Sequence, residues 1–216
     1  MRWQFAALPW ELLGARPAML TLTYPAEWRD CVPDARTLAR HRKAFEAWWR
    51  RHYGAPVGVW VVEFQPRERR PLRQRNAPHI HIYIGLPDCV SEEEYRWLVG
   101  RKLRGEWLEK RFGRYEGRRR LGRIEGEFPD AVLAAWARIV GSGDARHVRR
   151  GVDIRPSFGN LEVAAVADRG KVADYFWRES GKWAQKSPPE DFGGLNFYGR
   201  WGSHGSAATL VDGGCV

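Results

Sequence analysis

The stretch that decides the fold is "NAPHIHIYIGLP", which runs from Asn76 to Pro87. Three isoleucines alternate in it with His79, His81 and Tyr83. In a β-strand, side chains two residues apart point to the same face of the sheet. The alternation therefore predicts a strand with one apolar face for a core and a second face that carries both histidines.

Segments on both sides of this strand predict further strands and helices from their periodicity, caps and breakers. Strands are predicted over Ala18–Pro25, Gly58–Gln65 and His79–Gly85, with a strand or strand pair over Arg146–Pro156. Helices are predicted over Asp34–Gly54, Ser91–Gly113, Pro129–Gly141 and about 171–183. Asp34 is the expected N-cap of the first helix, and Gly54 is its expected stop. The order of elements predicts an α+β fold with an antiparallel sheet packed by helices on at least one face.

The chain has 216 residues, enough for one domain with a full core. It shows no internal repeat and no clear boundary between two domains. We expect an irregular N-terminal arm over 1–17, a single domain over 18–202 and a flexible tail over 203–216. The whole segment after Ser187 is rich in glycine and proline and is expected to be loose.

A net charge of +10 favours polyanionic partners, with nucleic acid ahead of an anionic membrane surface. Twelve tryptophans offer flat surfaces for stacking unpaired bases, although packing in the core also accounts for such residues. No apolar run approaches the length of a membrane span, so no membrane partner is expected. The three cysteines form no CxxC pair, which argues against a disulfide framework and favours a cytoplasmic location.

Two histidines on one strand face can bind a divalent ion if a neighbouring strand supplies a third ligand. Glu63 is the candidate, because a hairpin between Gly58–Gln65 and His79–Gly85 would bring it beside the histidines. A carboxylate at the end of an apolar strand face is costly without a partner. Two imidazoles and one carboxylate suit Mn²⁺, Mg²⁺ or Co²⁺, and histidine favours Mn²⁺ over Mg²⁺. The alternative is a half-exposed strand whose polar face happens to carry two histidines.

Two arginine-rich segments are candidates for DNA contact. One is the proline-punctuated loop over 66–78, and the other is the charged, glycine-rich stretch over 114–126. Solvated surface is the alternative for both. The arginines proposed to contact DNA are Arg67, Arg69, Arg70, Arg73, Arg75, Arg118, Arg119 and Arg120.

A candidate nucleophile lies in "KVADYFWRESGKWAQK", over 171–186. Helical spacing places Tyr175, Arg178, Glu179 and Lys182 on one face. Nearby cations favour the phenolate of a tyrosine, and a phenolate can attack a phosphodiester and hold the 5′ phosphate covalently. The alternative is a tyrosine that packs on the sheet.

These segments together resemble a known family, the HUH endonucleases, and within it the rolling-circle replication initiators (Rep proteins) of small plasmids and phages. "MLTLTYP" resembles the first Rep motif, "APHIHIYI" the second, metal-binding histidine motif, and "VADYFWRESGK" the third, tyrosine motif. "GRWG" over 199–202 is similar to a stretch that follows the tyrosine helix in some plasmid Reps. The resemblance spans about 19 to 202, in the order of the family's motifs.

The resemblance implies an RRM-like central antiparallel sheet flanked by helices, with metal-dependent nicking and rejoining of single-stranded DNA. His79, His81 and Glu63 would bind Mn²⁺ or Mg²⁺, and Tyr175 would form the 5′-phosphotyrosine. The expected DNA partner is a single-stranded origin or origin hairpin. Because the chain lacks a GxxxxGK[ST] sequence, unwinding would fall to a host helicase or to supercoiling.

Two positions depart from the family pattern. Two-tyrosine members repeat the tyrosine four residues on, where this chain has Glu179, so a single-tyrosine enzyme is expected. The usual lysine three residues after the tyrosine is Arg178 here, which keeps the charge but does not exchange a proton. Lys182 or Lys171 would then act as the auxiliary cation.

Three alternatives remain open. One is a conjugative relaxase, which usually uses a third histidine as ligand, for which His147 and His204 are available. Another is a single-tyrosine transposase of the same superfamily. The third is a non-catalytic RRM-like module that binds single-stranded nucleic acid, which would not need the histidines, Glu63 and Tyr175 together.

Overall fold

A five-stranded antiparallel sheet forms the centre of the protein. The structure is a computed structural model, and it describes residues 13, 16–65, 76–91, 93, 95, 127–155, 188–194 and 198–202. The strands are β1 (Pro17–Thr23), β2 (Gly58–Gln65), β3 (Ala77–Gly85), β4 (Val152–Arg155) and β5 (Tyr198–Trp201). Their spatial order is β4-β1-β3-β2-β5, and every neighbouring pair is antiparallel. The predicted α+β class and its antiparallel sheet are confirmed.

The described helices are α1 (Trp28–Cys31), α2 (Ala35–Tyr53), α3 (Glu127–Val140) and α4 (Ala145–Arg150), with a 3₁₀ turn over Glu190–Phe192. α2 begins and ends where the sequence predicts. The Asp34 side chain accepts a hydrogen bond from the Thr37 amide at 2.6 Å, and Gly54 ends the helix with φ at +83°. In the part of the chain described here, no helix is both long and apolar enough to cross a membrane.

One face of the sheet forms the core with α2 and α3. Ile80, Ile82 and Ile84 of β3 are fully buried on this face. Phe45 of α2 lies edge-on to Trp136 of α3, with 6.0 Å between ring centroids, and both side chains belong to the same apolar cluster as the isoleucines. The alternation in β3 therefore places the isoleucines against the helices and leaves the histidines on the opposite face.

The C-terminal edge strand, β5, was not predicted, because its glycine-rich sequence was taken for part of a loose tail. Trp201 is buried in the core cluster, and Gly199 pairs with Trp60 of β2. A Cβ atom at Gly199 would lie 2.5 Å from the Trp60 ring, so the strand needs glycine there. The Arg42 guanidinium also lies against the Trp60 ring, 4.0 Å from its centroid. The Arg42 side chain therefore packs against a core ring, unlike the exposed arginines of the same helix.

The prediction of strand structure over the whole of Arg146–Pro156 is wrong in its first half. Ala145–Arg150 is the short helix α4, and the strand begins only at Val152. The Asp144 carboxylate accepts hydrogen bonds from the amides of Arg146 and His147, which is the capping arrangement that starts a helix. The strand prediction took no account of Asp144, which directly precedes this helix in the sequence.

Two predicted helices cannot be compared with the structure in full. The helix over 171–183 lies outside the described residues. Of the helix predicted over 91–113, only Ser91, Glu93 and Tyr95 are described, and the Tyr95 amide donates to the Ser91 carbonyl at 2.9 Å. A hydrogen bond between residues four apart is the pattern of one α-helical turn.

A polar cluster is buried between α2, α3 and the end of β1. The Tyr24 hydroxyl lies 3.2 Å from His41 Nδ1, and the His41 ring lies edge-on to Trp136. Trp136 Nε1 donates to the Thr23 carbonyl at 2.6 Å. Burial, with a smaller effect from the Arg40 charge, lowers the pKa of His41 from 6.5 to about 4. His41 is therefore neutral in the folded protein at neutral pH.

We expect His41 to make folding sensitive to mild acid. The unfolded chain binds a proton on His41 below pH 6.5, whereas the folded chain does so only near pH 4. As the pH is lowered from 6.5 to about 4, the free energy of unfolding should therefore decrease, and His41 should contribute about 2 kcal/mol of that decrease. Urea unfolding at several pH values checks this. His41→Gln should flatten the pH dependence, and the exposed His52→Gln should not. Equal pH slopes in all three proteins would contradict the assignment.

Trp136 is expected to be a main contributor to the stability of the core. Its side chain is fully buried and contacts the rings of Tyr24, directly after β1, and of Phe45 in α2. Replacement by alanine leaves a large cavity and removes a hydrogen bond, so Trp136→Ala should lower the free energy of unfolding by about 3–5 kcal/mol. Denaturant unfolding measures the change. Val148→Ala on the exposed side of α4 is the control, and a comparable loss there would refute the prediction.

Candidate functional site

The candidate site lies on the face of the sheet opposite α2 and α3, across its three central strands. β3 is the middle strand, and it carries His79 and His81 on this face. In β2, the residue paired with His79 is Glu63. In β1, Thr21 pairs with His81, and Thr23 pairs with His79. Paired residues of an antiparallel ladder share a face, so the register alone brings these side chains together.

Glu63 and His81 are in direct contact. Glu63 Oε2 lies 3.4 Å from His81 Nε2, across the diagonal of the ladder. Both side chains are buried, with Glu63 only 2% exposed. A carboxylate removed from water requires a polar or charged partner, and the imidazole provides one. The prediction that the hairpin brings Glu63 beside the histidines is confirmed.

Thr21 holds the other side of the His81 ring. Its Oγ1 lies 3.0 Å from His81 Nδ1. If Nε2 carries the proton and donates it toward Glu63, Nδ1 accepts from the threonine hydroxyl. Thr21 and Glu63 together therefore fix the orientation of the ring. Thr21 belongs to the "MLTLTYP" segment that resembles the first Rep motif, but no role was predicted for it, because the register between β1 and β3 is not visible in the sequence.

His79 lies next to His81 on the same strand face. The two ring centroids are 6.2 Å apart, and the ring planes are inclined by 51°. His79 is also buried, with 6% of its surface exposed. Tyr83 continues the same face and is fully buried. The prediction that these three side chains share a face is confirmed by the register of β3 with both neighbours. The alternative prediction was a half-exposed strand face, and the burial of these side chains does not agree with it.

The side chains on this face are of the kinds that bind divalent ions, although the structure does not arrange them as a metal site. In the described part of the chain, no three His, Cys, Asp or Glu side chains form a group that could hold a metal ion. Both ring nitrogens of His81 already face polar groups, Nδ1 toward Thr21 and Nε2 toward Glu63. Two imidazoles and a carboxylate on adjacent strands remain a combination that Mn²⁺ accepts. Binding would replace the contact between Glu63 and His81 with bonds to the ion.

The His147 side chain is hydrogen-bonded to the backbone at the end of β1. Its Nε2 lies 2.6 Å from the Thr23 carbonyl oxygen, so this nitrogen must carry the proton and donate it. Burial lowers the pKa of His147, although the Thr23 carbonyl and Asp144 act in the opposite direction. The same carbonyl accepts from Trp136. His147 therefore has a structural role in joining α4 to the end of β1, and it does not act as a third histidine ligand in this arrangement.

The remaining predicted site residues lie outside the described residues. These are the nucleophile Tyr175, the cations Arg178, Lys182 and Lys171, the spare histidine His204, and the proposed DNA-binding arginines of 67–75 and 118–120. Their roles stay predictions. Of the predicted site, the structure brings together Glu63 and His81, with His79 beside them.

Comparisons of this chain with protein-family models, with curated proteins and with solved structures found no match.

Proposed function

We propose that this protein is a rolling-circle replication initiator of the single-tyrosine HUH type, which nicks and rejoins single-stranded DNA. The observation that carries the proposal is the buried contact between Glu63 and His81, beside His79, on the central strands of the sheet. Taking a carboxylate out of water beside two imidazoles is unfavourable for stability alone. Buried ionisable groups gathered on one face are typical of functional sites.

The topology supports an RRM-like core. A strand order of β4-β1-β3-β2, with a helix after β1 and helices before β4, is that of a β-α-β-β-α-β unit, and β5 extends it at the edge next to β2. In such a unit β1 and β3 are central, and their open face is the surface on which RRM domains hold single-stranded RNA. In this chain the corresponding face carries His79, His81 and Glu63, whose side chains are buried, and we propose that the nuclease site lies there.

The proposed mechanism is a transesterification. The Tyr175 oxygen attacks the phosphorus of the scissile phosphodiester, the bond from phosphorus to the 3′ oxygen breaks, and the 3′ oxygen leaves as a hydroxyl after taking up a proton. The 5′ phosphate stays on the tyrosine, and attack by a 3′ hydroxyl reverses the step and rejoins the strand. Arg178 and Lys182 would stabilise the phenolate. Arginine holds its proton, so Lys182 is the better candidate to exchange one.

His79, His81 and Glu63 would hold a divalent ion, with Mn²⁺ favoured over Mg²⁺ by the imidazoles. When bound, the ion would polarise the scissile phosphate and stabilise the charge that develops on its oxygens. Thr21 would keep the His81 ring in the orientation needed for binding, as hydrogen-bonded neighbours of ligating histidines do.

The net charge of +10 would favour binding of the negatively charged DNA strand. A single-stranded origin or an origin hairpin is the proposed substrate, and the separation of its strands would rely on a host helicase. A relaxase that uses three histidines is a weaker candidate, because His147 is bound to the Thr23 carbonyl and the acidic residue Glu63, not a third histidine, lies beside His81.

A covalent adduct tests the nucleophile. Pools of labelled single-stranded DNA incubated with the protein and Mn²⁺ should give a protein–DNA band that survives SDS. Tyr175→Phe should abolish the band, and His81→Ala should reduce it by at least about a hundredfold, since removing one electrostatic group from such a site costs 10²–10³ in rate. Tyr198→Phe is the matched control, because it removes the hydroxyl of an exposed tyrosine and should change nothing. An adduct that persisted in Tyr175→Phe would refute the assignment.

Glu63→Gln tests the metal site by a readout other than activity. The amide keeps the size of the side chain but loses its charge, so Mn²⁺ affinity measured by calorimetry should fall on the order of tenfold or more. Glu190→Gln, at an exposed acidic residue, is the control and should leave the affinity unchanged. Equal Mn²⁺ affinity in wild type and Glu63→Gln would remove Glu63 from the ligand set.

A further inference from the structure

The outward side of α2 carries a continuous row of cations. Four of its exposed basic residues follow one another at steps of four, three and seven, and a fifth comes directly after the last, which places all five on one side of the helix. The row runs for about 22 Å, at 1.5 Å per residue. These residues, called here the α2 stripe, are Arg36, Arg40, Lys43, Arg50 and Arg51.

Within the helix, only Arg50 of this stripe has an acidic partner. Ala44 and Ala47 are the other exposed residues along it, and their small side chains allow an extended ligand to approach the helix closely. The only acidic residue of α2 is Glu46, which is partly buried. It lies 3.6 Å from Arg42 and 3.3 Å from Arg50. An ordinary solvated helix intersperses acids and bases, so a one-sided row of cations points to a polyanion.

A cleft adjoins the C-terminal end of the stripe, at the edge of the sheet formed by β5. Its volume is about 130 Å³, and its walls include Glu46, Arg50, Pro56, Arg200, Trp201 and Gly202. The volume is below the 300–1,000 Å³ that is usual for drug-sized ligands, and it suits a group the size of a phosphate. Two guanidinium groups, the preferred partners of phosphate, line it together with the Glu46 carboxylate, which lies 3.3 Å from Arg50 and leaves one cation in excess.

The indole of Trp201 adds an independent observation. The side chain is 2% exposed, and its Nε1 is a buried donor without a hydrogen-bond partner in the described part of the chain. Buried donors are almost always satisfied, and because Trp201 also lines the cleft, we infer that a ligand in the cleft supplies the acceptor. A phosphate oxygen provides such an acceptor, whereas a cation does not.

We propose that the α2 stripe and the cleft beside β5 form a second nucleic-acid surface, which binds the phosphate backbone of single-stranded DNA away from the site of cleavage. The core side chains of α2 pack against the sheet face opposite His79 and His81. The two surfaces are therefore separated by the sheet and by a helix about 10–12 Å in diameter. The choice of DNA as the polyanion rests on the proposed function.

The geometry suggests the path of the strand. Arg200 pairs with Val59, on the face of the sheet that carries the histidines, yet it lines the cleft together with Arg50 of α2. The β5 edge is therefore where the basic surface of α2 meets the edge of the cleavage face. A strand that leaves the cleavage face over this edge would reach the cleft and then follow the stripe.

Two triple variants with equal net charge test the surface. Arg40→Gln/Lys43→Gln/Arg50→Gln removes three cations from the stripe, and Arg146→Gln/Arg149→Gln/Arg150→Gln removes three exposed cations from α4. Binding of a labelled 30-nucleotide strand is measured from 50 to 200 mM KCl. The stripe variant should lose at least about tenfold in affinity, and its salt slope should fall by about two, since each phosphate contact contributes about 0.7. The α4 variant should lose less than about threefold.

The cleft is tested by single changes. Arg200→Gln and Trp201→Phe should each weaken binding of the 30-nucleotide strand several-fold, and circular dichroism checks that the fold is kept. Equal losses in the two triple variants would mean that only net charge matters, and would overturn the proposal. Inorganic phosphate that bound to the cleft in an Arg200-dependent manner, with DNA binding unchanged in all variants, would assign the cleft to a small anion and also overturn it.

The outcome is separable from that of the proposed function. Adduct formation on a strand of about ten nucleotides, at saturating concentration, reports the cleavage site, whereas affinity for the longer strand reports the stripe. Adduct formation together with equal affinities of the two triple variants would leave the nickase standing and refute the second surface. A selective loss in the stripe variant without any adduct in wild type would do the reverse.

Discussion

The register between β2 and β3 is the constraint on which the rest of the structure depends. It pairs Glu63 with His79 and, at the same time, aligns the apolar side chains of both strands toward the helices. Because side chains alternate with a period of two, a slip of one residue would turn every isoleucine of β3 away from the core. The core therefore enforces the register, and the register assembles the candidate site without any further specification.

The candidate site carries an energetic cost that is confined to a few buried residues. Glu63 and His81 are nearly completely buried and 3.4 Å apart. Well-packed apolar residues of similar volume are often as stable as a buried ion pair, or more so. The remaining side chains of the same face beyond this pair include Val59, Val61 and Met19, which are apolar and buried. Along the three central strands, the carboxylate and the imidazoles are thus confined to one end of the face, a placement that stability alone does not explain.

Alternation and capping carried most of what the sequence predicted correctly. They identified β2, β3 and the limits of α2, and the hairpin argument placed Glu63 beside His81. The edge strand β5 was missed because its stability comes from a distant ring, with Gly199 lying under Trp60. The role of Thr21 was missed for a related reason, since the pairing of β1 with β3 joins residues sixty positions apart. Contacts that depend on tertiary register leave little trace in a single sequence.

The two outer strands have a consequence for behaviour in concentrated solution. In the described part of the chain β4 and β5 are the outermost strands, each is only four residues long, and Asp153, Tyr198 and Arg200 lie on one face. An exposed strand edge is a template for pairing with another chain, and short, charged edges are a common protection against it. The long apolar strands, which would aggregate readily if exposed, lie at the centre of the sheet. The strand order therefore protects the folded chain against edge-to-edge association.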